Sequence, residues 1–234
     1  MQASHVSRRS VLKQTGTLLS GLALSRLATG ATAAPDASPA SAAGTIVIGG
    51  DMTVSRLGFG AMRVTGPGIW GDPADPAEAR RVLQRAVELG VNFIDTADAY
   101  GPAVNESLIA AALRPYPKGL VIATKGGIVR PSQEQWERDG RPEHLRAACE
   151  ASLKRLGLER IDLYQLHAID PNVPLEESLG EIARLQKEGK IRHVGVSNFD
   201  ADELARARKV VNVVSVQNRY NVSDRSSDPV LEVC

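Results

Sequence analysis

The chain has 234 residues, a formal net charge of +1 and 43% hydrophobic residues. Cations and anions are interspersed, which excludes a nucleic-acid footprint and a basic membrane-binding face, and the apolar content excludes disorder over the whole length. The two cysteines, Cys149 and Cys234, sit in no CxxC or His-rich setting and are expected as free thiols.

The N-terminal stretch differs in composition from the rest. Ser7-Arg8-Arg9-Ser10-Val11-Leu12-Lys13 leads into a weakly apolar segment, Leu18 to Leu27, and then Ala31-Thr32-Ala33 with the A-x-A cleavage form. This order reads as a twin-arginine signal peptide over residues 1–33 and a flexible Ala/Ser/Pro linker over 34–44, ahead of a catalytic domain over 45–234. The apolar run is too short to span a bilayer and Arg26 interrupts it, so no stable membrane anchor is expected. The partner implied is the twin-arginine export machinery and the destination is the periplasm or another exported compartment.

From Thr45 onward, short β-branched runs alternate with amphipathic stretches, the pattern of βα units with a parallel sheet. A hairpin comes first, Thr45 to Ile48 and Thr53-Val54 around Gly49-Gly50-Asp51, followed by a strand in Leu57 to Met62. Helices are predicted over Pro76–Leu89, Glu106–Leu113, Pro142–Leu156, Leu175–Glu188, Asp202–Lys209 and Asp228–Cys234, from apolar residues at helical spacing and from glycine stops such as Gly90, Gly157 and Gly189. Strands are predicted over Val91–Thr96, Leu120–Thr124, Ile161–Leu166, Ile191–Val196 and Val213–Gln217.

These units suit a closed barrel better than an open doubly wound sheet. Gly58-Phe59-Gly60-Ala61-Met62-Arg63 lacks the third glycine of a dinucleotide fingerprint and opens no helix. Polar and titratable residues fall repeatedly at strand C-terminal ends, where barrel enzymes place their chemistry. The fold class is therefore α/β, a parallel (β/α)8 barrel with an N-terminal hairpin, of which about six units are present. Roughly two units, or about 70 residues, separate this from a typical barrel of about 250 residues, and a C-terminal truncation is expected.

Asp95 ends the second strand, Tyr100 stands five residues on, Lys125 follows the third strand and His167 the fourth. Neighbouring strands lie about 4.8 Å apart, which sets Lys125 between Asp95 and His167. An ammonium beside a phenol lowers the phenol's pKa from its ordinary value of about 10. On this reading Lys125 activates Tyr100 as a proton donor to a developing alkoxide, Asp95 holds Lys125, and His167 steers the carbonyl. Ser197-Asn198 and Gln217 end the next two strands with uncharged amide and hydroxyl groups, which suit the carboxamide of a nicotinamide ring. A metal centre from Asp95, Asp98 and His167 is the rival, but His193 lies near a strand start and His144 on a helix, so no second histidine is placed for it and no metal is expected. Trp70, in Thr65-Gly66-Pro67-Gly68-Ile69-Trp70-Gly71, is a candidate wall of the substrate pocket, or a rim residue covering apolar surface.

Gly90-Val91-Asn92-Phe93-Ile94-Asp95-Thr96-Ala97-Asp98-Ala99-Tyr100-Gly101 resembles the signature of the aldo-keto reductases. Ile122-Ala123-Thr124-Lys125, Ile161 to His167, Gly189 to Phe199 and Gln217 to Asn221 resemble further blocks of that family, in its order. The resemblance implies reduction of a small-molecule aldehyde or ketone to an alcohol with the tetrad Asp95, Tyr100, Lys125 and His167. It implies NADP as the usual cofactor, gripped at its carboxamide by Ser197, Asn198 and Gln217. NAD stays open, because the family's groups for the adenosine 2′-phosphate follow strands seven and eight. Loop one and Leu113-Arg114-Pro115-Tyr116-Pro117 are similar to the branch that contains pyridoxal reductases. The alternative to an enzyme is a cofactor-binding regulatory or interaction subunit with little turnover.

Overall fold

The computed structural model describes residues 38–234; the export signal expected over 1–33 and the first part of the expected linker lie outside the described residues. Within the stretch assigned to the linker, Pro39–Ala43 form a 3-10 turn, and Ala40 is buried with its N–H donating to Leu89 O at 2.9 Å.

The leading hairpin pairs β1 (Thr45–Ile48) with β2 (Met52–Ser55) in antiparallel register across Gly49 and Gly50, both at positive φ. There follow β3 (Phe59–Gly60), α1 (Pro76–Glu88), β4 (Phe93–Asp95), α2 (Val104–Leu113) and β5 (Val121–Gly126). A two-residue-per-arm hairpin comes next, β6 (Ile128–Val129) and β7 (Glu137–Arg138), and then α3 (Pro142–Leu156) and β8 (Ile161–Leu166). The chain continues through α4 (Leu175–Lys187), β9 (Ile191–Ser197), α5 (Ala201–Ala207), β10 (Val213–Gln217) and α6 (Asp228–Val233).

Six strands form one parallel sheet in the order β3-β4-β5-β8-β9-β10. Strand alternation sends Ile94, Ile122, Tyr164, Leu166, Val194 and Val196 to one face, where they pack in two apolar clusters against α1 to α5. The opposite face carries Phe93, Val121, Ala123 and Leu163, which Met52 and Val54 of the hairpin cover. Helices on one side and the hairpin on the other are the layering of a β/α barrel wall.

Local chemistry explains the boundaries. Asp75 caps α1 by accepting from Ala77 N and Glu78 N at 2.9 Å each, and Gly157 at φ 62 ends α3 in the left-handed conformation. The first strand is shorter than expected because Ala61–Arg63 close a 3-10 turn, and Ala61 O instead accepts from Val64 N and Asn105 Nδ2. Gly195 permits close approach on the inner face, since a Cβ there would stand 2.3 Å from Ser215 Oγ and 3.0 Å from Gln165 Cγ. The hairpin turn is latched to the start of β9: Asp51 accepts from Arg192 Nη2 at 2.7 Å and lies 2.7 Å from His193 Nε2. Both cysteines are free thiols, and burial pushes Cys149 up to about 12.

Candidate active site

Sheet register assembles the site. Asp95 closes β4 opposite Ala123 of β5, two residues before Lys125 on the same inner face. Lys125 stands opposite Gln165 of β8, and Gln165 opposite Gly195 of β9. Lys125 is 1% exposed, and its Nζ donates to Asp95 Oδ2 at 2.8 Å, Thr96 O at 2.9 Å and Tyr100 Oη at 3.4 Å. An ammonium has three donors, and each has an acceptor here. The second carboxylate oxygen of Asp95 accepts from Gln165 Nε2 at 3.3 Å.

Tyr100 sits on a turn that the backbone holds from both sides. Asp98 N donates to Lys125 O at 3.2 Å, Tyr100 N to Ala97 O at 3.2 Å, and Asn105 N to Tyr100 O at 3.2 Å. Below the turn, buried Thr96 Oγ1 donates to Asn105 Oδ1 at 2.6 Å, fixing the start of α2 to the end of β4. Because Lys125 donates to the phenol oxygen, that oxygen acts as acceptor and its own hydrogen is left to donate elsewhere. His167 follows β8, is buried, and meets the Tyr100 ring edge-on with centroids 5.8 Å apart and planes at 84°. It lies edge-on to the phenol ring and makes no hydrogen bond to Lys125, whose charge is near enough to act on it.

The electrostatics correct one expectation. Burial raises the Tyr100 pKa above its ordinary value of 10, and the charges of Asp95 and Asp98 add to the rise. Lys125, paired with Asp95 at 2.8 Å, does not reverse this. Burial pulls the Lys125 pKa down while Asp95 opposes the fall. His167 is lowered to about 3, by burial first and by the charge of Lys125 second, so it is neutral near pH 7. Its Nδ1 is buried without a partner, which leaves Nε2 as the ring nitrogen for a ligand.

Ser197 and Gln217 pair across β9 and β10, and Asn198 N donates to Gln217 O at 3.0 Å. Asn198 takes φ 59, a left-handed conformation that asparagine tolerates, and its Nδ2 donates to His167 O at 3.0 Å and Ser197 Oγ at 3.1 Å. Asn198 therefore adjoins His167 directly, with Ser197 and Gln217 bonded or paired beside it. The Gln217 side chain makes no hydrogen bond among the described residues, and with the Asn198 Oδ1 and the Ser197 hydroxyl it forms a donor and acceptor set that fits a carboxamide. Trp70 lies on a loop bonded to the Tyr100 turn through Gly101 N to Ile69 O and Gly71 N to Gly101 O, both 3.2 Å. The Arg130 guanidinium lies 5.4 Å from the Trp70 ring centroid.

Gln165 and Arg130 escaped the sequence reading. Gln165 was legible in principle, since it precedes His167 by two and so shares its face of the strand. Arg130 gave no signal, because Gly68 and Ile69, which it joins to its own loop, stand 62 and 61 residues away in the chain.

The match to the model of the Aldo/keto reductase family covers residues 56–234. The chain is 52% identical over 203 residues to "Uncharacterized oxidoreductase C215.11c" of Schizosaccharomyces pombe, covering 87% of this chain and 66% of that relative. It is 40% identical over 189 residues to "Pyridoxine 4-dehydrogenase" of Escherichia coli, covering 78% of this chain and 66% of that relative. Among solved structures, the glycerol dehydrogenase AKR11B4 from Gluconobacter oxydans superposes with a TM-score of 0.71 at 36% identity, covering 79% of this chain and 57% of that one. The aldo-keto reductase AKR11C1 from Bacillus halodurans, in its holo form, gives 0.71 at 32% identity, covering 81% and 61%. The fold is thus the parallel barrel of these proteins, represented by six of its strands. On the family match and these likenesses, the chain belongs to the aldo/keto reductase family.

Proposed function

We propose that the protein reduces an aldehyde or ketone to an alcohol, with Tyr100 as proton donor. The observation that carries this reading is the three-acceptor cage around Lys125, which makes the Tyr100 oxygen an acceptor and leaves its hydrogen to donate elsewhere. A nicotinamide dinucleotide, NADPH on the family resemblance, supplies the hydride when bound. Ser197, Asn198 and Gln217 would hold its carboxamide. His167 Nε2 orients the substrate oxygen, Tyr100 gives it a proton as negative charge develops, and the hydrogen bond that Lys125 Nζ donates to Tyr100 Oη holds the phenolate left behind. A raised phenol pKa keeps Tyr100 protonated through the neutral and mildly alkaline range, as a donor must be.

The substrate class we propose is a planar aldehyde of the pyridoxal type, supported by the 40% identity to "Pyridoxine 4-dehydrogenase" and by the Trp70 loop beside Tyr100. We also propose domain limits of 1–33 for the signal, 34–44 for the linker and 45–234 for the barrel domain, with twin-arginine export to the periplasm. Cell fractionation checks this: an uncleaved, wholly cytoplasmic protein would refute it.

Tyr100→Phe in the full-length protein is expected to lower turnover by about 10²–10⁴-fold while cofactor still binds. Oxidation of NADPH with a panel of aldehydes, pyridoxal included, is the assay. Near-normal turnover in the variant would dismiss Tyr100 as the donor, and no turnover in the unaltered protein would favour a regulatory subunit.

A further inference from the structure

The chain's two tryptophans, Trp70 and Trp136, come from segments far apart in sequence, yet both flank one side chain. Arg130, just past β6, is 7% exposed and lies with its guanidinium carbon 3.6 Å from the Trp136 ring centroid and 5.4 Å from that of Trp70. No carboxylate stands within ion-pair distance of it among the described residues. Its donors go instead to backbone carbonyls of two loops: Nε to Gln135 O at 3.0 Å, Nη1 to Ile69 O at 3.2 Å, and Nη2 to Gly68 O at 3.3 Å and to Gln133 O. Gln133 Nε2 adds a tie to Pro67 O at 3.0 Å.

Ile69 is the node of this arrangement. Its carbonyl accepts from Arg130 on one side and from Gly101 N, the residue after Tyr100, on the other. Its φ is 59, a left-handed conformation that a β-branched residue adopts only when its surroundings impose it. A planar fork that reaches two loops at once is a property of arginine and not of lysine.

We propose that Arg130 is a positioning residue that clamps loop 64–72 to the 133–135 loop and so holds the Ile69 carbonyl in place for Gly101 N of the Tyr100 turn, making the Trp70 loop a fixed wall of the pocket for a planar carbonyl substrate. The second half of this statement rests on the reductase reading above; the first half does not. Because the chain's two tryptophans both flank Arg130, tryptophan emission reports on the clamp.

In the full-length protein, Arg130→Met is expected to speed amide exchange of the 65–72 segment by about tenfold or more and to shift tryptophan emission to the red. KM for a planar aryl aldehyde should rise about tenfold with kcat changed less than about threefold. Arg130→Lys restores a cation beneath Trp136 and should recover the emission but neither the exchange protection nor KM; it carries the comparison if the methionine variant does not fold. Unchanged exchange in both variants overturns the clamp. Faster exchange with KM unmoved, or with kcat lost as heavily as KM is raised, overturns the wall. If the unaltered protein turns over no aldehyde, the reductase reading and the wall fall together, and exchange and emission still decide the clamp.

Discussion

A lysine as deeply buried as Lys125 keeps its charge only where each N–H meets an acceptor and a carboxylate stands close, and Asp95, Thr96 O and Tyr100 Oη meet that demand. Asp98 shows the opposite case. Its Oδ1 is buried without a partner, and burial, with the charge of Glu106 second, raises its pKa from 3.8 to about 8. In the unfolded chain this carboxyl is ionised at neutral pH, so the folded state holds the extra proton and loses stability as pH rises from about 4 through 8. His167 acts in the other direction but only below its ordinary value of 6.5, so the interval above pH 7 isolates Asp98. Asp98→Asn is therefore expected to remove a decline of about 1 kcal/mol per pH unit between pH 7 and 8, measured by denaturant unfolding at both values. An equal decline in both proteins would place the titration elsewhere. Residue types at strand ends made Asp95, Tyr100, Lys125 and His167 legible in the sequence. The rise in the Tyr100 pKa was not legible, because it depends first on how deeply the folded chain buries the phenol and then on how near the charges of Asp95 and Asp98 come to it.

At the scale of elements, α2, β5 and α3 are joined by one buried carboxylate. Glu106 Oε1 accepts from Thr124 Oγ1 and Oε2 from Arg155 Nε, both at 2.6 Å, on the helix side of the sheet. Glu106→Ala leaves the arginine and threonine without their acceptor and is expected to cost about 3 kcal/mol, read as a lower midpoint in denaturant. A loss below about 1 kcal/mol would mean that solvent takes over the acceptor role. Elements with strong signals matched their expected bounds: α3 between Pro142 and Gly157, β8 over Ile161–Leu166 and β10 over Val213–Gln217. α2 starts two residues earlier than expected, because its N-cap is Ala103 at φ 68, a residue type with no capping preference to read. β6 and β7 passed unseen because two-residue strands, one of them Glu137-Arg138, carry no alternation.

Over the whole molecule, protection should follow position in the sheet. β5 and β8 are paired on both sides and buried on both faces, whereas β3 and β10 are the edges among the described residues. Amide exchange is expected to be slowest in β5 and β8 and about 100-fold faster or more in β3 and β10. Uniform rates would contradict this ranking. A cavity of about 640 Å³ lies against the β3 edge, lined by Phe59, Val82, Arg85 and Leu89 and by none of the residues around Lys125. The latch of Asp51 on Arg192 and His193 sits at the strand starts, a full strand length from Ser197 and Gln217. A tether or dye attached at the Gly49–Asp51 turn would thus leave the end that carries Ser197 and Gln217 unobstructed, and protein anchored to a solid support through that turn would present that end to the passing solution.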